Sequence, residues 1–196
     1  MGDPSAEIAA DAVVPESTTV WGLAQIRERA VIGEECIVGR GAYVGVGVRI
    51  GNRTKIQNYA QIYEPAVLEN GVFIGPMVVL TNDTYPRAVR PDGARAGAED
   101  WTAVGVTVRS GASVGARAVC VAPVTIGRWA LVGAGSVGLD DVPDYALVDG
   151  NPARRIGWVG AAGRRLVRDN GQWRCPVTGA SFIEEDGLLR EVEEHD

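Results

Sequence analysis

Residues 31–65 read VIGEECIVGRGAYVGVGVRIGNRTKIQNYAQIYEP, and an aliphatic residue returns at every sixth place: Ile32, Val38, Val44, Ile50, Ile56 and Ile62. The series extends back to Ile8 through Val14, Val20 and Ile26, and forward through Leu68 and Ile74 to Leu80, without a change of phase. Four places after each aliphatic residue stands a small or β-branched one, as at Ala24, Ala30, Cys36, Ala42, Val48, Thr54 and Ala60. Both series resume at Val108 and run on to Val132 and Ser136. A period of six matches neither the 3.6 of a helix nor the 2.0 of a strand. It is the signature of a parallel β-helix, an all-β fold in which each hexad supplies one short strand and one turn. Two separate runs keep both series, which composition bias does not produce. Three hexads close a triangular coil, giving about six coils in all. Glycine follows the aliphatic residue at Gly33, Gly39, Gly45, Gly51, Gly75, Gly115, Gly127 and Gly133, where tight turns or close backbone approach are expected.

The chain has 196 residues, enough for one repeat domain (1–158) and a short appendage (159–196). A solenoid of this kind needs both ends covered. Its net charge is −6 and only Lys55 among nineteen basic residues is a lysine. No basic field therefore invites nucleic acid or an anionic membrane. No apolar run reaches the length of a membrane span and no signal peptide is visible, so a cytoplasmic protein is expected. Cys36, Cys120 and Cys175 are an odd, widely spaced set, and the first two occupy inward repeat places. Buried, reduced thiols are the expectation.

Between Leu80 and Val108 the phase is lost, so 81–107 reads as one long extruded loop. It opens with Asn82, Asp83 and Arg87 and carries Trp101. A loop of this length in a compact domain is usually functional.

The stretches KIQNYAQIYEPAVLENGVFIGPMVVLTNDTYPR (55–87), VRSGASVGARAVCVAPVTIGRWALVGAGSV and DVPDYALVDGNPARRIGW together resemble the hexapeptide acyltransferase family. The likeness covers about 14–158. It is nearest to the subgroup of N-acetyltransferases that act on nucleotide-linked 3-amino sugars, close to those that use a UDP-linked 2-acetamido-3-amino glucuronic acid. The resemblance implies a left-handed coil, which the general preference for right-handed crossovers would not have chosen. It also implies acetyl-CoA as cosubstrate and a homotrimer, with CoA and sugar nucleotide held between subunits. UDP and dTDP both remain open, as does a carboxylate on the sugar.

The resemblance assigns roles residue by residue. Asn82 would hold the sugar amine for attack. Asn58 and Glu64 would line the sugar pocket, projecting from the same region of successive hexads. Arg27 and Arg87 are candidates for the diphosphate or a sugar carboxylate, since guanidinium makes bidentate contacts to such anions. Gly115, Ala116 and Ala134 would let the CoA arm approach the backbone, and Arg154 and Arg155 would meet its phosphates.

The chain's one histidine is His195, far from the repeats. An alcohol acceptor needs a general base, and many family O-acetyltransferases use a histidine in the coil for this. A neutral amine carries its own lone pair, so the missing histidine favours an amine and disfavours O-acetyl transfer. A γ-class carbonic anhydrase needs three histidines for zinc and is excluded. A non-catalytic scaffold has no need of the loop, Asn82 or the NPARR terminus. Near the start, Trp21-Gly22-Leu23 stands where family members often have Trp-His-Phe. After Trp158 the segment VGAAGRRLVRDN reads as a short helix and turn. WRCPVTGASFIEEDGLLREV then reads as a hairpin, the remnant of a zinc-ribbon-like tail in which Thr178 replaces a cysteine. One cysteine cannot build a four-ligand site, so no metal is expected there.

Overall fold

The structure, a computed structural model, describes residues 2–192. Its repeats wind into a parallel β-helix with three sheets, one on each side of a triangular coil. Sheet one takes two-residue strands such as Thr19–Val20, Ile37–Val38, Lys55–Ile56 and Phe73–Ile74. Sheet two takes Gln25–Ile26, Tyr43–Val44, Gln61–Ile62 and Val79–Leu80. Sheet three takes Val31–Ile32, Arg49–Ile50 and Val67–Leu68. Within each sheet the partners of the regular coils are eighteen residues apart, as in Ile26↔Val44 and Val44↔Ile62. Backbone N–H groups donate to the coil above, for example Arg27 N to Val44 O at 2.9 Å. Strands this short cannot pair stably in isolation; the stack and its core hold them.

The aliphatic series fills the axis. Ile26, Ile56, Ile62, Leu68, Ile74 and Leu80 are each at most 2% exposed. The small series packs the inner corners, where Ala24, Ala30, Ala60 and Ala112 are fully buried. The glycines after the aliphatic residue answer to close approach. A Cβ on Gly75 would lie 2.6 Å from the N of Ala116, and one on Gly115 2.6 Å from the N of Ala134. The left-handed backbone sits two places further on, often without glycine, as at Leu23, Arg29, Glu35, Arg53, Tyr59 and Met77.

The phase break is an insertion between sheets two and three. Leu68 pairs with Val108, forty residues on, where a regular coil takes eighteen, so twenty-two residues are added. The strand Val106–Val108 already belongs to sheet three, so the extruded segment ends slightly before residue 107. Inside it a bridge joins Val89 to Arg95 and a 3-10 turn covers Ala98–Asp100. None of the described helices is long and apolar enough to cross a membrane.

At the far end the hairpin Ala146–Gly150 with Ala153–Trp158 extends sheet one. The expected helix after Trp158 is not formed. Val159 bridges Arg165, and Val167–Asp169, Gln172–Arg174, Ser181–Glu185 and Leu188–Glu191 make an antiparallel sheet. Gly160 and Gly163 weaken a helix there. Asn170 and Gly171 both take positive φ (48° and 85°), the geometry of a two-residue hairpin turn. Trp158, Phe182 and Cys175 bury against the coil end, each at 1% exposure.

Truncating the axis should be costly. Ile74→Ala is expected to lower the unfolding free energy by about 2–5 kcal/mol, read as a fall in denaturant midpoint. Met77→Ala, at an exposed corner, should change it by less than about 0.5 kcal/mol.

Candidate functional site

Because neighbours are eighteen residues apart, the site residues sort by corner rather than by hexad. Asn58 and Glu64, expected on one region, lie on different corners. They belong to successive hexads, and successive hexads occupy successive sides of the triangle. Asn58 stands between sheets one and two, in the column that continues to Ala116 and Ala134. Glu64 stands between sheets two and three, in the column of Glu28, Val46 and Asn82. Asn82 is thus one coil above Glu64, about 4.8 Å along the stack, at the point where the insertion leaves the coil.

This second corner holds a polar cluster. Asn82 is half-buried, its carbonyl accepts from Val104 N at 3.1 Å, and its carboxamide has no hydrogen-bond partner among the described residues. Thr81 Oγ1 accepts from Ala122 N at 3.0 Å, and Thr84 Oγ1 donates to Ala122 O at 3.0 Å, pinning the loop stem to the coil. Below, the Tyr43 and Tyr63 rings meet with centroids 5.2 Å apart. Burial, and then the nearby Glu64 charge, push the Tyr43 phenol above its ordinary pKa. Arg27 is paired with Glu28 at 3.0 Å, with the Tyr43 hydroxyl close by. The hydrogen bond to Glu28 is the main reason the Arg27 pKa is raised.

Arg87 is exposed and donates only to its neighbour's carbonyl, Pro86 O, at 2.8 Å. It lies in the insertion, where a cavity of about 610 Å³ is lined by Tyr85, Arg87, Arg90, Arg95, Asp100 and Trp101 among others. Arg90 there is shared between Asp92 and Asp100, at 3.6 and 3.7 Å.

The first corner changes character going up. Asn58 Oδ1 accepts from Arg40 N at 3.0 Å, a structural link between coils. Ala116 and Ala134 replace it above and offer no such acceptor. The N–H of Ala116 therefore has no partner among the described residues, and neither has that of Ala134, since the Asp149 carboxylate above it accepts instead from Ser136 Oγ and Gly150 N, each at 2.9 Å. Gly75 and Gly115 let the backbone of the coil above approach closely along this track, and the Asp149 carboxylate lies over Gly133. Of the two terminal arginines, Arg154 is exposed and pairs loosely with Asp140 at 3.5 Å. Arg155 is committed to the appendage, bound to Glu184 at 3.0 Å and stacked 4.2 Å over the Trp158 ring.

Tyr43 and Tyr63 escaped the sequence reading because aromatic residues at outward places carry no period-six signal. Counting by eighteens would have placed both on the sheet-two face. His195 lies outside the described residues. Among the described residues there is no cluster of His, Cys, Asp and Glu able to hold a metal.

The bacterial transferase hexapeptide family (six repeats) matches 47–82, and the hexapeptide repeat of succinyl-transferase matches 29–58 and 111–137. The chain is a hexapeptide-repeat protein, and its coils carry the repeat of these transferases. It is 44% identical over 85 residues to a dTDP-3-amino-3,6-dideoxy-alpha-D-galactopyranose 3-N-acetyltransferase of Aneurinibacillus thermoaerophilus, 43% of this chain and 44% of that one. It is 35% identical over 156 residues to the bifunctional protein GlmU of Nitratidesulfovibrio vulgaris, 70% of this chain and 30% of the other. The matches therefore span less than half the length of these relatives. The fold is shared with a hexapeptide-repeat acetyltransferase of Vibrio cholerae complexed with acetyl coenzyme A, at a TM-score of 0.55 and 24% identity over 67% of this chain and 72% of that one.

The thiols take no part in this site. Cys36, Cys120 and Cys175 are free and buried, and burial pushes the Cys120 thiol up to about 12. The expected result with an aromatic disulfide reagent at pH 8 is no reaction in the folded protein and release equivalent to all three thiols after denaturation.

Proposed function

We propose that this protein is an acetyl-CoA-dependent N-acetyltransferase that acylates the 3-amino group of a nucleotide-linked sugar. The observation that carries the reading is the second corner. It offers an uncommitted carboxamide and a carboxylate, and the coil that bears them contains no histidine. Such a corner can orient an amine but holds no histidine to deprotonate an alcohol. The relative named as a dTDP-3-amino sugar 3-N-acetyltransferase, 44% identical where it matches, supports the same acceptor.

In this mechanism Asn82 directs the amine lone pair at the thioester carbonyl. A C–N bond forms, the tetrahedral intermediate collapses with cleavage of the C–S bond, and the departing CoA sulfur receives the amine proton. Holding the two reactants in line accounts for much of the rate. The free N–H groups of Ala116 and Ala134 would bind amide carbonyls of the CoA arm, and Arg154 its phosphates. Arg27 and Arg87 would meet the diphosphate of the sugar nucleotide. Arg155 has less to offer a ligand, since Glu184 and Trp158 already hold it.

The two corners flank sheet two, and a hexad of extended chain spans up to roughly 20 Å. Donor and acceptor bound to one copy would sit too far apart to react. Two copies side by side bring the first corner of one to the second corner of the other, and a closed ring of three repeats that contact. A trimer with sites between subunits follows from the reading.

The test is thiol release from acetyl-CoA with UDP- and dTDP-linked sugars bearing a 3-amino group, beside matched 3-hydroxy compounds. Turnover is expected only with amines, and Asn82→Ala should lower kcat about 100-fold or more. His195→Asn should keep the rate, whereas loss of a true general base costs about 10²–10⁴-fold. Turnover with the hydroxy compounds alone, or with neither set, overturns the reading.

A further inference from the structure

The insertion between Leu80 and Val106 folds on itself and frames its own cavity of about 610 Å³, within the roughly 300–1,000 Å³ usual for small-molecule sites. Its backbone is fixed by local bonds. Arg90 N donates to Ala94 O at 2.8 Å, Gly93 N to Arg90 O at 2.9 Å and Ala96 N to Ala88 O at 3.1 Å. Val89 and Arg95 are thereby bridged across a small hairpin. Three carboxylates of the segment serve the same turns. Asp83 Oδ1 accepts from Tyr85 N at 2.8 Å, Asp92 Oδ1 from Ala94 N at 2.9 Å and Asp100 Oδ2 from Gly97 N at 2.7 Å. Asp92 and Asp100 also hold Arg90. Two arginines that line the cavity are left over. The Arg87 side chain donates only to Pro86 O, and neither Arg87 nor Arg95 is paired with a carboxylate among the described residues. Tyr85 and Trp101 line the same cavity and are 84% and 41% exposed. Keeping large apolar rings in water is unfavourable. Exposed rings beside uncommitted guanidinium groups suit a nucleotide, whose base stacks on an aromatic face and whose phosphate oxygens take paired N–H bonds from arginine.

We propose that the insertion carries a nucleoside-phosphate pocket, with Arg87 and Arg95 on the phosphates and Tyr85 and Trp101 against the base. The inference rests on the acyl-transfer reading for the source of such a ligand, while the binding chemistry rests on the cavity alone. In that reading two reactants bear a nucleoside phosphate, the sugar nucleotide and the CoA of a neighbouring copy. Position favours the sugar nucleotide. The lining of the cavity begins at Asp83, the residue after Asn82, so a ligand whose amine reaches Asn82 has its remaining parts beside the cavity. Binding energy gained at a base pocket away from the reacting nitrogen can then hold that nitrogen in line.

The experiment is calorimetric titration of the full chain with UDP, dTDP, adenosine 3′,5′-bisphosphate and inorganic pyrophosphate. It compares the wild type with Arg95→Ala, Trp101→Ala and Trp101→Phe. Arg95→Ala is expected to weaken pyrophosphate, and the nucleotide that occupies the pocket, about tenfold or more, the size of one charge-assisted hydrogen bond. Trp101→Ala should weaken that nucleotide about fivefold or more, the size of one base stack, and leave pyrophosphate unchanged. Trp101→Phe should keep most of the affinity. Arg164→Ala, which removes an exposed arginine of the appendage, should change nothing. Losses confined to UDP or dTDP assign the pocket to the acceptor, and losses confined to the adenosine compound assign it to CoA. Equal loss of pyrophosphate and nucleotide in Trp101→Ala overturns the stacking assignment. Nucleotide binding indifferent to both alanine variants, or no nucleotide binding at all, overturns the pocket. Thiol release with 3-amino sugars separates the two readings. Turnover that Arg95→Ala and Trp101→Ala leave untouched rejects the pocket alone. Pocket-dependent nucleotide binding with no turnover on any amine rejects the acyl-transfer reading and leaves the pocket standing.

Discussion

The constraint on which the structure depends is the eighteen-residue register of the backbone ladder. Successive N–H groups donate alternately to the coil above, as Gln25 N does to Ala42 O at 2.9 Å and Tyr43 N to Ala60 O at 2.8 Å, and to the coil below, as Ile32 N does to Val13 O at 2.9 Å. Once that register holds, residues eighteen apart become neighbours through the regular coils, and across the insertion the same places meet forty apart. The aliphatic series is thereby stacked on the axis, each side chain contributing about 1.5–3 kcal/mol of burial. The same register forces the backbones of successive coils together at the corners. A Cβ at Gly39 would stand 2.6 Å from the N of Asn58, so glycine there is a demand of packing between coils and not of the turn itself.

The register also divides structural polar groups from available ones. Asn52, Asn58, Asn70 and Asp144 each accept a backbone N–H from the coil below and so help to hold the stack. Glu69 does similar work at the insertion, accepting from Ser110 N at 2.9 Å and from its hydroxyl at 2.7 Å. These bonds pull the Glu69 carboxyl below its ordinary pKa. Against that background the exceptions stand apart. Glu64 and Asn82 stand one coil step apart in the same column, Glu64 Oε2 and the Asn82 carboxamide without a hydrogen-bond partner among the described residues, and the N–H groups of Ala116 and Ala134 are unused as well. Polar groups that the coil does not need are the ones a ligand can take.

How much of this was legible follows from what a period can and cannot carry. The aliphatic places, the small places and the insertion were all visible, because phase is a property of the sequence and survives or breaks at a definite residue. The corner assignment is invisible to a comparison of each hexad with its immediate successor, since corner neighbours lie three hexads apart. Asn58 and Glu64 therefore looked adjacent, although Glu64 has Asn82 for its neighbour and Asn58 has Arg40. In the appendage the expectation of a helix overlooked local turn chemistry. Asn170-Gly171 and Asp186-Gly187 both take positive φ at each residue and close hairpins. Those dipeptides are strong hairpin signals and were present to be read.

The proposed acceptor corner has an electrostatic logic of its own. Attack by an amine places positive charge on nitrogen in the tetrahedral intermediate, and a carboxylate beside it stabilises that charge as it forms. Attack by an alcohol requires an alkoxide, or a base withdrawing the proton as the bond forms, and a fixed negative charge opposes the first route. An interaction that grows between ground state and transition state for one acceptor and turns repulsive for the other discriminates in rate as well as in binding. A corner that carries a carboxylate and no histidine therefore favours nitrogen over oxygen as the attacking atom, the acceptor class proposed above.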